Sequence, residues 1–96
     1  MIELGGNIKI EGIDAFDKGS FIILKKMVGT FVKEISEGKN LNNFELNLSV
    51  EEDSKIKIKV KLVIDDKEIK SEITHNNLFI GLNEIFNELK FKIGGK

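Results

Sequence analysis

Ninety-six residues, 41% of them hydrophobic and 32% charged, match the commonest size and composition of a folded domain and exclude a disordered chain. The absence of cysteine excludes disulfides and thiolate metal sites. A net charge of −1 supplies no global attraction to nucleic acid, so any such binding rests on a local patch.

The first segment, MIELGGNIKI, has neither a basic n-region nor a long apolar run, so it does not read as a signal peptide. No apolar stretch approaches the roughly 20 residues needed to span a bilayer. The expectation is a single cytoplasmic domain over residues 1–96 with no membrane partner, irregular or frayed at 1–7 and 93–96. Residues 2–13 read as a first strand, in which Ile8 and Ile10 alternate with Lys9 and Glu11. Gly5-Gly6-Asn7 interrupts it as a bulge or a turn. A small hairpin pairing 2–4 with 8–10 is the alternative; one kinked strand is the simpler reading.

A helix follows from about Asp17 to Glu37. Leu24, Met27, Val28, Phe31 and Ile35 recur at i, i+3, i+4 spacing on one face. Asp14 or Asp17 caps its start. Gly38 follows its last periodic residue, as a C-terminal cap does. Phe16 is placed to pack under the first turn.

Three alternating runs come next. Phe44, Leu46, Leu48 and Val50 form one, Ile56 to Ile64 the second, and Ile69 with Ile73 the third. Polar residues occupy the intervening positions, so each strand has one buried and one wet face, as antiparallel strands do. Glu51–Ser54 and Asp65-Asp66 are the turns of this meander. A last helix spans about Asn76 to Lys92, with Leu78, Leu82, Ile85, Phe86, Leu89 and Ile93 as its stripe and Thr74 or Asn76 as its cap.

The order is β-α-β-β-β-α. It predicts an α+β two-layer sandwich, with two helices on one face of a four-stranded sheet. The first strand lies parallel to the second, because a right-handed crossover through a helix joins them, and an antiparallel meander follows.

No catalytic or metal motif stands out, so no cofactor and no enzymatic activity are expected. Four surfaces are candidates for function. On a helical wheel Lys18, Lys25, Lys26 and Lys33 cluster opposite the apolar stripe of the first helix, with Ile22 and Gly29 inside the arc. A helix-interior glycine costs about 1 kcal/mol relative to alanine. It is explained if a phosphate backbone or another helix approaches there; ordinary solvation explains the lysines equally. The second surface is the wet face of the sheet. Lys55, Lys57, Lys59 and Lys61 line one strand there, flanked by Glu45, Glu68 and Glu72. Cross-strand charge pairing accounts for that row. None of the seven Phe falls on this face to stack bases. The third surface, Thr74-His75-Asn76-Asn77, opens the last helix. It is either an anion site or a polar cap around the only histidine. The fourth is Ile80 with Phe91, which lie off the apolar stripe of the last helix. They mark a homodimer contact or a packing site for the N-terminal segment.

All 15 basic residues are lysine. Arginine is the favoured residue for bidentate phosphate and guanine contacts. An AT-rich codon usage, which also enriches Ile, Asn and Glu, accounts for its absence.

The strand, helix, three-strand meander, helix layout over about residues 8–92 resembles the bacterial ribosome hibernation-promoting and ribosome-associated inhibitor proteins. These share a sandwich related to double-stranded RNA-binding domains. The segment IKSEITHNNLFIGLNEIFNELK is similar to that family's polar strand, short turn and amphipathic helix. The resemblance implies ribosomal RNA binding through basic residues on the helices. Here the first helix carries them, at Lys18, Lys25, Lys26 and Lys33. The second helix departs from the pattern, exposing Asn83, Glu84, Asn87 and Glu88. His75-Asn76-Asn77 stands where double-stranded RNA-binding domains carry a lysine cluster. The leading expectation is therefore a non-enzymatic module for the ribosome or structured RNA, acting through Lys18, Lys25, Lys26, Gly29 and Lys33. The alternative is a protein-interaction or homodimerisation domain using Ile80 and Phe91.

Overall fold

In the structure, a computed structural model that describes residues 2–4 and 7–94, the chain runs β1 (Ile2–Leu4), β2 (Ile8–Glu11), α1 (Lys18–Ile35), β3 (Leu41–Val50), β4 (Ile56–Ile64), β5 (Lys67–His75) and α2 (Leu78–Gly94). The strands form one sheet in the order β1-β2-β3-β4-β5. β2 and β3 are parallel, with Ile8 opposite Phe44 and Ile10 opposite Leu46. The other pairs are antiparallel. Both helices pack on one face, as the sequence pattern requires.

Two expectations at the ends are corrected. The N-terminal residues form the small hairpin of 2–4 with 8–10, the alternative reading, instead of one kinked strand, so a short fifth strand is added to the four expected and residues 2–4 are regular. Three residues hold too few alternations to reveal a period; pairing with β2 is what makes Ile2–Leu4 a strand. At the other end Ile93 and Gly94 continue the helix. Gly5-Gly6 and Gly95-Lys96 lie outside the described residues.

The core is apolar throughout the described residues. Leu24, Val28, Phe31 and Ile35 from α1 meet Phe44, Leu46, Ile58, Val60 and Leu62 from the sheet and Leu78, Leu82, Ile85, Phe86 and Leu89 from α2. Phe16 is half-buried against it. Three rings lie at its centre: Phe31 against Phe44, and Phe86 against both.

Local chemistry sets the element ends. Asp17 caps α1 by accepting from the Ser20 N–H at 3.0 Å, whereas Asp14 sits in the preceding 3-10 turn. Gly12, at φ +86°, lies where a Cβ would collide with the Leu48 carbonyl oxygen, so only glycine fits. Asp65 and Asp66, at φ 50° and 65°, form the two-residue turn between β4 and β5. The Asp65 carboxylate accepts from the Asn40 N–H at 3.0 Å, and the Asn42 side chain accepts from the Asp66 N–H at 3.0 Å. This end of the sheet is thereby tied to the chain entering β3.

Candidate nucleic-acid interface on the first helix

Burial of Leu24, Val28, Phe31 and Ile35 turns the opposite side of α1 outward. Lys18, Lys25, Lys26 and Lys33 are all exposed there, and so is Gly29. A Cβ built on Gly29 would meet nothing within 4 Å, so no packing inside the chain calls for a glycine. Ile22 and Ile23, 56% and 48% exposed, add apolar surface beside the lysines.

Among the described residues, none of these four lysines has a carboxylate within ion-pair distance. Five lysines elsewhere contrast with this, whereas Lys9, Lys39, Lys55, Lys59 and Lys67 are scattered and also form no ion pair among the described residues. On the wet face of the sheet Lys57 meets Glu72 at 3.4 Å, Lys61 meets Glu68 at 3.7 Å, and Lys70 meets Glu68 at 3.2 Å. Glu45 faces Lys61 across the strands and accepts from the Asn43 side-chain amide at 2.8 Å. The two α2 lysines are also paired, Lys90 with Glu34 at 3.2 Å and Lys92 with Glu88 at 3.4 Å. Unpaired lysines at close helical spacing keep their full field for a ligand; the paired ones have theirs largely cancelled.

A groove of about 280 Å³ runs between the helices beside Lys26. Thr30, Asn83 and Asn87 line its rim, and Met27, Phe31 and Phe86 its floor. The sequence gives the polar positions of α2 but not this groove. It arises because α1 and α2 run side by side, both starting at the β3–β4 end of the sheet. The amides of Asn83 and Asn87 donate and accept hydrogen bonds, which suits a sugar hydroxyl, while Glu34, paired with Lys90, also lines the groove.

The Thr74–Asn77 segment is organised as a helix cap. The Asn77 side chain accepts from the Ile80 N–H at 3.0 Å, so Asn77 is the cap and not Thr74 or Asn76. His75 Nδ1 accepts from the Asn77 N–H at 2.9 Å, and its Nε2 lies 3.3 Å from Glu84. Two donors at this helix start are thus satisfied within the chain, and a carboxylate stands beside them. That disfavours an anion. Ile80 and Phe91 are exposed, at 52% and 68%. The described N-terminal strands lie at the sheet edge away from β5, whereas α2 packs over β5 and β4. The reading in which the N-terminal segment covers Ile80 and Phe91 is therefore set aside.

No helix in the described residues is long and apolar enough to cross a membrane. No group of three or more His, Asp or Glu among them is placed to hold a metal ion.

No family model matches this chain, and no curated protein matches it in sequence. In fold it is similar to the crystal structure of the Thermus thermophilus Protein Y N-terminal domain, with a TM-score of 0.67 at 11% identity over 90% of this chain and 91% of that one. At that identity the likeness is one of architecture.

Proposed function

We propose that this chain is a non-enzymatic binding module for the ribosome or another structured RNA, working in the cytoplasm through the outer face of α1. One observation carries the reading. Four lysines of α1 lie together around an exposed glycine without carboxylate partners, whereas Lys57, Lys61 and Lys70 of the sheet and Lys90 and Lys92 of α2 are paired. The layout shared with the hibernation-promoting proteins and the architecture shared with the Protein Y domain support it. In mechanism, Lys18, Lys25, Lys26 and Lys33 contact successive phosphates and release counterions, while Gly29 lets the backbone approach closely. Affinity then falls steeply with salt, by a slope near the number of phosphates neutralised.

The test is the double variant Lys25→Glu/Lys33→Glu. Both side chains are exposed, so the fold is retained. Salt-dependent comigration with ribosomal particles and affinity for structured RNA should be lost together. Unchanged RNA affinity overturns the proposal.

A second reading rests on Ile80 and Phe91, whose exposure on α2 suits self-association. It predicts a concentration-dependent dimer in analytical ultracentrifugation that Phe91→Ser abolishes. A strict monomer at high concentration removes it.

A further inference from the structure

β5 is the last strand of the sheet, and among the described residues nothing pairs with its outer side. It is nine residues long, Lys67–His75. Such an edge presents a row of free N–H and C=O groups to another strand.

The direction of those groups follows from the turn. Asp65 and Asp66 form a two-residue hairpin loop, so the flanking Ile64 and Lys67 exchange backbone hydrogen bonds. Alternation along an antiparallel ladder then turns the backbone of Lys67, Ile69, Ser71 and Ile73 toward β4. Glu68, Lys70, Glu72 and Thr74 present theirs to the open side. The Lys70 carbonyl fits this phase: it accepts from Lys92 Nζ of α2 at 3.3 Å.

We infer that β5 pairs antiparallel with β5 of a second copy of this chain about a two-fold axis at Ser71, joining the two sheets into one. In this register Lys70 lies opposite the partner's Glu72, Glu72 opposite the partner's Lys70, and Ile69 opposite the partner's Ile73. The hydrogen-bonding phase agrees, because Lys70 and Glu72 both bond outward. Lys70 and Glu72 lie on the wet face, where Lys70 already meets Glu68 at 3.2 Å and Glu72 meets Lys57 at 3.4 Å, so the two new opposite-charge pairs extend these exposed ion pairs across the seam. Ile69 and Ile73, only half-buried in one chain, close over each other on the helix side.

The neighbouring registers of the same phase are repulsive. Shifting the axis to residue 70 sets Lys70 on Lys70 and Glu68 on Glu72; shifting it to residue 72 sets Glu72 on Glu72. Charges on an edge strand usually keep other strands away. Here they favour the register about Ser71: an axis at residue 69 also sets Lys70 on Glu68, but it pairs only residues 67–71 of the strand and brings Glu72 against Asp66. Lys92 does not block the seam, because it already contacts Glu88 at 3.4 Å and can release the Lys70 carbonyl. α1 lies on the other side of α2 from this edge, so pairing leaves its lysine arc exposed, and the inference is independent of the RNA reading.

The test is sedimentation equilibrium of the full chain from about 1 μM to 1 mM, with circular dichroism confirming that each variant is folded. The wild type should self-associate. Lys70→Glu or Glu72→Lys alone turns two attractions into two repulsions and should weaken association by about tenfold or more. The double variant Lys70→Glu/Glu72→Lys restores opposite charges across the seam and should recover it. Ser71→Cys places one thiol per chain at the axis. The Cα atoms of a non-hydrogen-bonded antiparallel pair are about 4.5 Å apart, which a disulfide spans, so mild oxidation should yield a covalent dimer. A wild type that stays monomeric at the top concentration overturns the inference. So does a dimer that both single charge reversals leave unchanged, or one that the double variant fails to recover. Loss of the dimer in Ile80→Ser/Phe91→Ser without any response to charge would assign self-association to α2 instead.

Discussion

The rings of Phe31 and Phe86 stack almost parallel, with centroids 4.3 Å apart and planes 9° from parallel. This contact joins α1 to α2 over Phe44 of the sheet and so holds the helix that carries the lysine arc. Phe31→Ala or Phe86→Ala should each cost about 3–5 kcal/mol. For a domain whose whole stability is about 5–15 kcal/mol, either change leaves it marginal. The double variant should be less destabilised than the sum of the singles by about 0.5–1.5 kcal/mol, the worth of the ring contact beyond its burial. Denaturant unfolding of the four proteins checks this, and strict additivity would show that the stack contributes only area.

Gly29 and Gly81 are both interior helix glycines, and alanine should act oppositely at the two. A Cβ on Gly29 meets open space. Gly29→Ala should therefore stabilise α1 by up to about 1 kcal/mol. If RNA approaches the backbone there, the same variant binds it more weakly while being more stable, a divergence that solvation of the lysines alone does not produce. A Cβ on Gly81 would lie 2.8 Å from Ile58 Cδ1 and 3.0 Å from His75 Cβ. Ile58 is fully buried and the His75 Cβ is fixed by its strand, so neither can move freely. Overpacking at about 1–3 kcal/mol should outweigh the helix-propensity gain, and Gly81→Ala should destabilise. Thermal unfolding of both variants decides each sign.

These two glycines also show where the sequence is legible and where it is not. A regular period reports which face of an element is buried. Leu24, Val28, Phe31 and Ile35 were therefore readable, as were the meander and the lysine arc opposite the stripe. A period carries no record of a contact between elements. The close approach of α2 to β4 at Gly81 comes from the packing of helix on sheet, and so does the interhelical groove beside Lys26. Pairing states are hidden for the same reason. Lys57 and Lys25 look alike in a string of letters, yet one meets Glu72 and the other meets no carboxylate among the described residues. Ile2–Leu4 was legible only as the alternative hairpin, because three residues are too few to show an alternation and its strand state depends on a neighbour.

Asn76 and Asn77 are adjacent, exposed and chemically identical, yet only Asn77 is seen to accept a helix N–H, that of Ile80. Asn77→Ala should cost about 0.5–2 kcal/mol, the ordinary price of a lost N-cap. Asn76→Ala should stay within about 0.5 kcal/mol of the wild type. Equal losses in chemical unfolding would mean that the helix start has shifted by one residue.

Two carboxyls make the fold sensitive to acid. Hydrogen bonds from the Ser20 side chain and the Ser20 N–H hold the Asp17 carboxyl below its ordinary value of 3.8. A hydrogen bond from Lys70 does the same for Glu68 below 4.5. A carboxyl with a lowered folded-state pKa binds fewer protons folded than unfolded as the pH falls past its ordinary value. Its contribution is thus complete above that value and is lost as the pH drops through the folded-state pKa. The unfolding temperature should hold steady from about pH 7 to pH 5 and decline below 4.5, first through Glu68 and then through Asp17. Asp17→Asn keeps a capping oxygen but removes the titration. Its unfolding temperature should fall less steeply below pH 3.8 than that of the wild type. Curves that run parallel down to pH 2 would show that the Asp17 cap contributes no charge-dependent stability. Both groups are exposed, so added salt should flatten the wild-type decline more at Glu68, which depends on a lysine, than at Asp17, whose partners are neutral dipoles.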